Sequence, residues 1–550
     1  MLAISVDFSD WLLNNYFLWL LGTCLAVALA VALAESRRVR DGQFPSQVEP
    51  AVAAALRPAR STAYFALGVM VGLYGWLMLA WEDFAFFDGH YFYPLLAGQP
   101  EVVPLQMFPN LGRYFPLGHQ EFHAISLLGK SAQTYQCFAF AELLLGGFLI
   151  TRILRRHAGI TTAVCIAMLT TPPIVTSMFH IIVPERNMLF LLCVFVWAVF
   201  LYVESGSRTA LVAANLAAFV FLQYKETAVI LLAVWAGYLL VAARGRIALT
   251  PTERRGRLRM LAATIIAGCF IWLAVYAVAI LPQIAQSYLV GRQQDRLDVL
   301  QSVASEIWLW VLLGAVLLRL LLARIGTQVS PLWDGMPLAA LSSTASYMYL
   351  GFTHDYYYAP AALLAWLYAG HMAELVFFAI PAERQKLILV VILAVVAELT
   401  VLQLPQAFYG SVAQWKENTA SKADAAEFID ALDVTRRSDQ PNASLRLLFP
   451  HNSNYEVGFF VGYLQAKYDI KGLEVGMAQD ALGDRTELCV RWIPIDCHYG
   501  LPPRAGDLIV FFGERGPKMD DLAQRYRLLH VSPDIGFWHN ILHVYVFVAG

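Results

Sequence analysis

Four short polar clusters, each at the end of an apolar stretch, hold the side chains best equipped for chemistry. The first, Trp81-Glu82-Asp83-Phe84-Ala85-Phe86-Phe87-Asp88-Gly89-His90, follows an apolar run from Ser61 to Trp81. The others are Pro184-Glu185-Arg186-Asn187, Gln223-Tyr224-Lys225-Glu226, and His354-Asp355-Tyr356-Tyr357-Tyr358 followed by Pro360. Arg113, His119, Glu121 and His123 lie between the first two. Carboxylates set among aromatics at the lip of a membrane domain are costly unless they do something. There a carboxylate can take the proton of a hydroxyl that attacks a sugar's anomeric carbon. The departing phosphate gains negative charge, which Lys, Arg, His or a divalent cation stabilises. A substrate whose tail stays in the bilayer requires such a site at the membrane edge.

Each cluster also has a plain structural explanation. Glu185–Arg186 and Lys225–Glu226 read as neighbours that neutralise each other at a turn. Tyr356 to Tyr358 fit an interfacial aromatic belt. His119 and His123 have i,i+4 spacing, but no nearby residue completes a metal ligand set. His371 and Glu374 inside one apolar stretch, and Glu398 inside the next, read as a buried ion pair or as side chains reaching for an interface. Taken together at one membrane level, the first cluster offers carboxylates and the other three offer cations or a histidine.

The elements that must position them are membrane helices. The chain of 550 residues is 58% hydrophobic and only 15% charged, against about 25% charged in soluble domains, and its mean hydropathy is +0.55. At about 20 residues per span, helices are expected near 12–34, 61–81, 134–153, 159–181, 187–204, 208–223, 227–243, 259–281, 307–324, 335–352, 359–379 and 386–404. Alternating their sides places nineteen basic residues, from Arg37 to Lys386, in one set of loops. The opposite set, the tail apart, holds six: Arg113, Lys130, Arg186, Lys225, Arg292 and Arg296. The positive-inside bias makes the first set cytoplasmic, so all four clusters and the tail are expected on the outer face. The first apolar run lacks a basic segment before it and carries Arg37, Arg38 and Arg40 after it, the reverse of a cleaved signal peptide.

Residues 1–60 are therefore expected to be an extra N-terminal helix and cytoplasmic linker, 61–404 a helical membrane domain with outer loop 82–133, and 405–550 a soluble outer domain. In that tail, 444–450, 507–513 and 543–549 read as buried strands, and 455–468 and 520–529 as helices, which gives an α/β fold. No phosphate-binding glycine loop, HExxH, CxxC or GxSxG motif is present, so nucleotide use and zinc or serine hydrolysis have no support. No basic tract points to nucleic acid. Cys489 and Cys497 stand close enough to pair across a short loop if the tail faces an oxidising compartment.

The pattern resembles the GT-C superfamily of polyprenyl-phosphate-sugar-dependent glycosyltransferases, of the bacterial aminoarabinose, mannosyl or arabinosyl transferase type. The resemblance covers about residues 61–404 and rests on topology with short motifs. Trp81-Glu82-Asp83-Phe84 looks like the acidic motif that follows their first core helix, Lys225-Glu226 like a later charged turn, and His354-Asp355-Tyr356-Tyr357 with Pro360 like the aromatic turn near the donor phosphate. It implies Asp83 as general base, with Glu82 the neighbouring candidate and Asp88 a third. Lys225, Arg186, His354 and Arg113 would hold the donor phosphate, and Asp88, His90, Glu121, Glu226, Asp355 and Tyr357 would contact sugar or acceptor. A metal-dependent reaction would place magnesium or manganese on Asp83 and Asp88. This chain departs in having one helix before the motif-bearing one and in carrying Glu-Asp in place of Asp-Asp or Asp-x-Asp, which leaves the base open between Glu82 and Asp83.

The expected activity is inverting transfer of a sugar from a polyprenyl-phosphate donor to a glycan, lipid or protein on the periplasmic side of a bacterial inner membrane. An O-antigen polymerase or ligase using a diphosphate-linked glycan is the second enzymatic reading, although such proteins place their main outer loop later. A transporter would need mid-membrane charges and repeated halves, and no repeat is visible.

Overall fold

A segment in lipid must satisfy its own N–H and C=O groups, and a helix does so internally. The computed structural model describes residues 2–40, 65–79, 93, 105–154, 156–244, 252–284, 296–324, 330–352, 354–407, 426, 430, 445–449, 461–467, 473–478, 497–513, 517–531 and 543–550. Its helices are α1 (Leu2–Arg40), α2 (Phe65–Leu79), α3 (Glu121–Ser126), α4 (Ala132–Ile153), α5 (Ala158–Leu169), α6 (Pro172–Phe179), α7 (Glu185–Ser205) and α8 (Arg208–Phe221). They continue as α9 (Ala228–Arg244), α10 (Thr252–Ala279), α11 (Arg296–Ser305), α12 (Ile307–Arg324), α13 (Pro331–Leu350), α14 (Ala359–Ala379) and α15 (Ala382–Ala407). Each of the expected apolar ranges carries helix. Among the described residues seven helices are long and apolar enough to cross a membrane, and α5 with α6 passes the same test as a bent pair, an eighth where the pair counts as one span. The chain is a polytopic helical membrane protein.

Range 159–181 is not one helix. It bends by 66° between α5 and α6, because Pro172 and Pro173 offer no backbone donors and their rings collide with the preceding turn. A freed carbonyl and the threonine beside the break find partners. The Leu169 carbonyl accepts from the Tyr74 hydroxyl, and Trp366 Nε1 donates to Thr171 Oγ1 at 2.8 Å. Loops 82–133 and 282–306 also contain structure, namely β1 (Met107–Phe108) paired antiparallel with β2 (Arg113–Tyr114) and then α3 in the first, and α11 in the second.

The most enclosed element is α14, which packs on α5, α6, α7, α12 and α13. Its opening Ala359-Pro360-Ala361-Ala362 is fully buried, since small side chains let neighbouring backbones approach. The extra N-terminal helix is part of the body: α1 lies on α8 and α10, with Trp19 against Phe219 at 6.1 Å and Tyr16 donating to Gln223 Oε1 at 3.2 Å.

At the arginine-rich end, side chains satisfy the last groups of the helices. Arg257 Nη1 donates to the Val203 and Glu204 carbonyls, both at 3.0 Å. That closure needs Gly206, which ends α7 at φ +73, where a Cβ would fall 3.0 Å from the Arg257 guanidinium carbon. Arg259 bonds the Ala243 carbonyl at 3.0 and 3.2 Å. Glu374 caps α5 by accepting from the Arg156 and His157 amides, while His371 stacks on Trp333 at 4.0 Å.

The tail holds a six-stranded sheet in the order β5 (Cys497–Leu501), β4 (Leu473–Ala478), β3 (Leu445–Phe449), β6 (Leu508–Gly513), β8 (His543–Val548), β7 (Arg527–Val531). The first four are parallel and β8 is antiparallel to both its neighbours. The three expected strands are β3, β6 and β8, and β4, β5 and β7 join them. The expected helix 520–529 ends at Arg525, after which Arg527–Val531 pairs with β8. Cys497 opens β5, and Cys489 lies outside the described residues. The tail touches the membrane domain where Tyr463 meets Tyr93 edge-on at 5.4 Å. Tyr93 in turn packs on Phe122, Ile125, Tyr135 and Ile181.

Candidate functional site

Three of the four clusters and the loop around Arg113 meet at one end of the helices. The loop is stitched to turn 223–226 by backbone first: Leu117 N–H donates to the Gln223 carbonyl at 3.1 Å, and Tyr114 N–H to Glu226 Oε1 at 2.9 Å. Gly112, at φ +73, reverses the chain between Pro109–Leu111 and β2. Its carbonyl is held by the Tyr276 hydroxyl at 2.9 Å.

The charges do not neutralise their sequence neighbours. Lys225 Nζ pairs with Glu185 Oε1 at 2.9 Å, and Arg113 Nε with Glu226 Oε1 at 2.9 Å. The two cations flank one ring, with Arg113 4.6 Å and Lys225 5.6 Å from the centre of Phe115. Lys225 also sits 4.5 Å from the Tyr357 ring, which ties in the fourth cluster. An alternating row results: Arg113, Glu226, Lys225, Glu185. Burial works against the Lys225 ammonium, but Glu185, Tyr357 and Glu226 outweigh it and hold its pKa above the usual lysine value. Burial likewise opposes the Glu226 carboxylate, yet Arg113 and Lys225 hold its pKa below the usual range. Both groups are ionised at neutral pH.

Arg186 occupies a different position from that expected of a phosphate ligand. It is fully buried, with Nε on Glu142 Oε2 at 2.8 Å, Nη1 on the Ile181 carbonyl at 3.0 Å and Nη2 on Glu121 Oε1 at 3.5 Å. Asn187 Nδ2 adds a 2.6 Å bond to Glu121. Glu121 is thereby part of a brace between loop, α4 and α7. Burial, only partly offset by Arg186 and Asn187, raises its pKa. His119, at φ 67, places Nε2 2.6 Å from the Ile182 carbonyl. Burial, with Lys225 and Arg186 nearby, lowers its pKa to about 3, so the ring is neutral.

The fourth cluster forms a single 3-10 turn, Asp355–Tyr358. Asp355 Oδ2 accepts from Thr176 Oγ1 on α6 at 2.7 Å, and its Oδ1 from the Tyr356 amide at 2.8 Å. Here the bent span matters, because α6 lies against this turn. His354 is exposed and stacks on Tyr356 at 5.5 Å. Glu306, between α11 and α12, is buried; burial, then the nearby Asp355 charge, raises its pKa to about 8.

Glu82, Asp83, Asp88 and His90 lie outside the described residues. Of the remaining expected residues, Arg113, Lys225, Glu226 and Tyr357 are brought together around Phe115, Glu121 and Arg186 form the adjoining brace, and Asp355 and His354 border it through Tyr356 and Tyr357. Glu185 as partner of Lys225, Glu142, Phe115, Thr176 and Glu306 were not singled out by sequence. Glu142 had a signal, a carboxylate inside an apolar run. Among the described residues no group of three or more His, Cys, Asp or Glu side chains could hold a metal ion.

No protein-family model and no curated protein sequence matches the chain. Among solved structures it is similar to ArnT from Cupriavidus metallidurans bound to undecaprenyl phosphate, at 15% identity and a TM-score of 0.49, covering 88% of this chain and 98% of that one. The apo state of the same protein gives the same identity and score. It is also similar to the arabinosyltransferase EmbB from Mycobacterium smegmatis, at 14% identity and a TM-score of 0.40, covering 72% of this chain and 44% of that one.

Proposed function

We propose that this chain is an inverting membrane glycosyltransferase that moves a sugar from a polyprenyl-phosphate donor to a hydroxyl on a glycan, lipid or protein. The observation that carries the reading is Lys225: a charged ammonium at a junction of three outer clusters, beside Arg113 and walled by Phe115 and Tyr357. A donor phosphate seated there keeps its prenyl tail in the bilayer and presents its sugar to the turn of Asp355. The aromatic walls exclude water and strengthen each charge contact.

In the reaction, a carboxylate of the Glu82–Asp83 pair, with Asp83 preferred, takes the acceptor's hydroxyl proton. The acceptor oxygen bonds the anomeric carbon from the face opposite the phosphate. The carbon–oxygen bond to phosphate breaks, and its electron pair leaves with the polyprenyl phosphate. Lys225, Arg113 and His354 meet that growing charge, whereas Arg186 holds the loop in place. Glu226, Asp355 and Tyr357, with Asp88 and His90, border the sugar or acceptor. A divalent cation, where the reaction uses one, belongs on Asp83 and Asp88. The arginine asymmetry supports a periplasmic site in a bacterial inner membrane.

The test is release of polyprenyl phosphate by purified protein given a panel of polyprenyl-phosphate sugars, with Asp83→Asn, Glu82→Gln and Lys225→Met alongside, with and without a chelator. Undecaprenyl phosphate serves as the product standard. Release lost in Asp83→Asn and Lys225→Met supports the assignment, and the chelator arm reads the cation dependence. Folded protein that releases only polyprenyl diphosphate from diphosphate-linked glycans, or nothing, overturns it.

A further inference from the structure

The span α15 carries a charge that none of the described residues pairs with. Along α15, Leu389, Ile392, Val396 and Leu399 pack against the helical core. A second row with the same three-and-four spacing, Leu387, Val391, Val395, Glu398 and Leu402, is turned away from that core. Its aliphatic members are 65%, 48%, 53% and 57% exposed in chain order, and Glu398 between them is exposed as well. Glu398 lies twelve residues beyond Lys386, or about 18 Å along a helix that crosses roughly 30 Å of hydrocarbon. Five residues, about 7 Å of helix, separate it from Gln403, and a helical side chain leans toward the helix N-terminus, away from that end and deeper into the span. The carboxylate therefore faces the bilayer interior with no ion pair or hydrogen bond among the described residues.

We infer that this face of α15 is a docking surface for a transmembrane helix of another protein that carries a basic residue at the depth of Glu398. The spacing of Val391, Val395, Glu398 and Leu402 is that of a helix–helix seam, and its aliphatic members accept any apolar partner. Glu398 makes the selection, because a carboxylate in hydrocarbon persists only when paired with a cation or donor. A second copy of this chain fits less well. Parallel copies set carboxylate against carboxylate, and the basic residues within the described spans lie near their ends or are already engaged, as Arg319 is by Asp334 and His371 by Trp333. This inference is independent of the proposed glycosyl transfer, since α15 contributes no residue to that site.

The experiment uses the full chain in lipid nanodiscs, labelled for energy transfer, with synthetic Leu/Ala transmembrane peptides of about 25 residues. One peptide carries a single Lys at the depth of Glu398 and the other Leu there. The Lys peptide is expected to associate with the wild type roughly tenfold more tightly than the Leu peptide, and Glu398→Leu removes the difference. Because Glu398→Leu makes a bilayer-facing position more apolar, its thermal midpoint stays at or above the wild type's, which separates lost docking from misfolding. Equal association of both peptides, no association of either, or an unchanged preference in Glu398→Leu overturns the inference. So does wild-type self-association without peptide that disappears in Glu398→Leu, which would assign the face to a second copy.

Discussion

Lys225 Nζ lies 2.9 Å from Glu185 Oε1, while its sequence neighbour Glu226 is engaged by Arg113 at the same distance. The charge on each turn is thus balanced from another turn. Removing one partner of a buried pair strands the other charge, at a cost of about 3–5 kcal/mol.

Lys225→Met alone is therefore expected to lower the thermal midpoint in detergent, and Lys225→Met with Glu185→Gln to recover most of it. Polyprenyl-phosphate release stays at least about a hundredfold down in both. A double variant with normal turnover would remove Lys225 from the phosphate site.

Arg186 gives the opposite pattern. Fully enclosed between Glu142, Glu121 and the Ile181 carbonyl, it supports the loop from behind. Arg186→Lys cannot reproduce three fixed directions of donation, so stability falls by about 3 kcal/mol. The folded fraction keeps its donor KM within about threefold, a factor worth well under 1 kcal/mol. A large rise in KM without loss of stability would return Arg186 to the donor site.

Tyr357 acts on Lys225 through its ring face at 4.5 Å. Tyr357→Phe keeps the ring and is expected to leave donor KM nearly unchanged. Tyr357→Leu removes about 1 kcal/mol of cation–π attraction, a rise in KM of roughly fivefold. Steady-state kinetics on the two variants distinguishes ring from hydroxyl.

Glu306 predicts a pH dependence. Its pKa in the folded chain, about 8, exceeds its ordinary 4.5, so between those values the folded state binds a proton that the unfolded state does not. Stability from this group is complete below pH 4.5 and is lost as pH rises through about 8. Thermal midpoints of the wild type are expected to fall across that window, and Glu306→Gln to flatten the fall. An equally steep fall in the variant would assign it to another group.

Much of the fold was legible because lipid imposes a simple rule on sequence: apolar runs of sufficient length become helices. The rule does not report bends. Pro172 and Pro173 lie inside the single range 159–181, which is long enough for one helix, and only their missing donors show that the span breaks there. In the tail, β7 follows its helix with no turn residue between, so Arg527–Val531 reads as a continuation of helical periodicity until β8 supplies a partner. The site was half legible. Charged residues at the ends of apolar runs stand out, which singled out Lys225, Glu226 and Arg113, the residues that the fold brings together around Phe115. Their pairing was hidden, because adjacent opposite charges suggest a local pair and only the packing of α7 against the loop reveals the distant one. Glu306 was passed over as an isolated carboxylate, its meaning resting on Asp355 across the fold.

The pair formed by Glu142 and Arg186 has a consequence for how the chain is made. Synthesis delivers Glu142, in the middle of α4, before Arg186 at the start of α7. During that interval a carboxylate awaits entry to the bilayer without its counter-ion, so α4 is expected to commit to the membrane late, together with α7. The order of insertion is then set by an ion pair and not by the order of the spans.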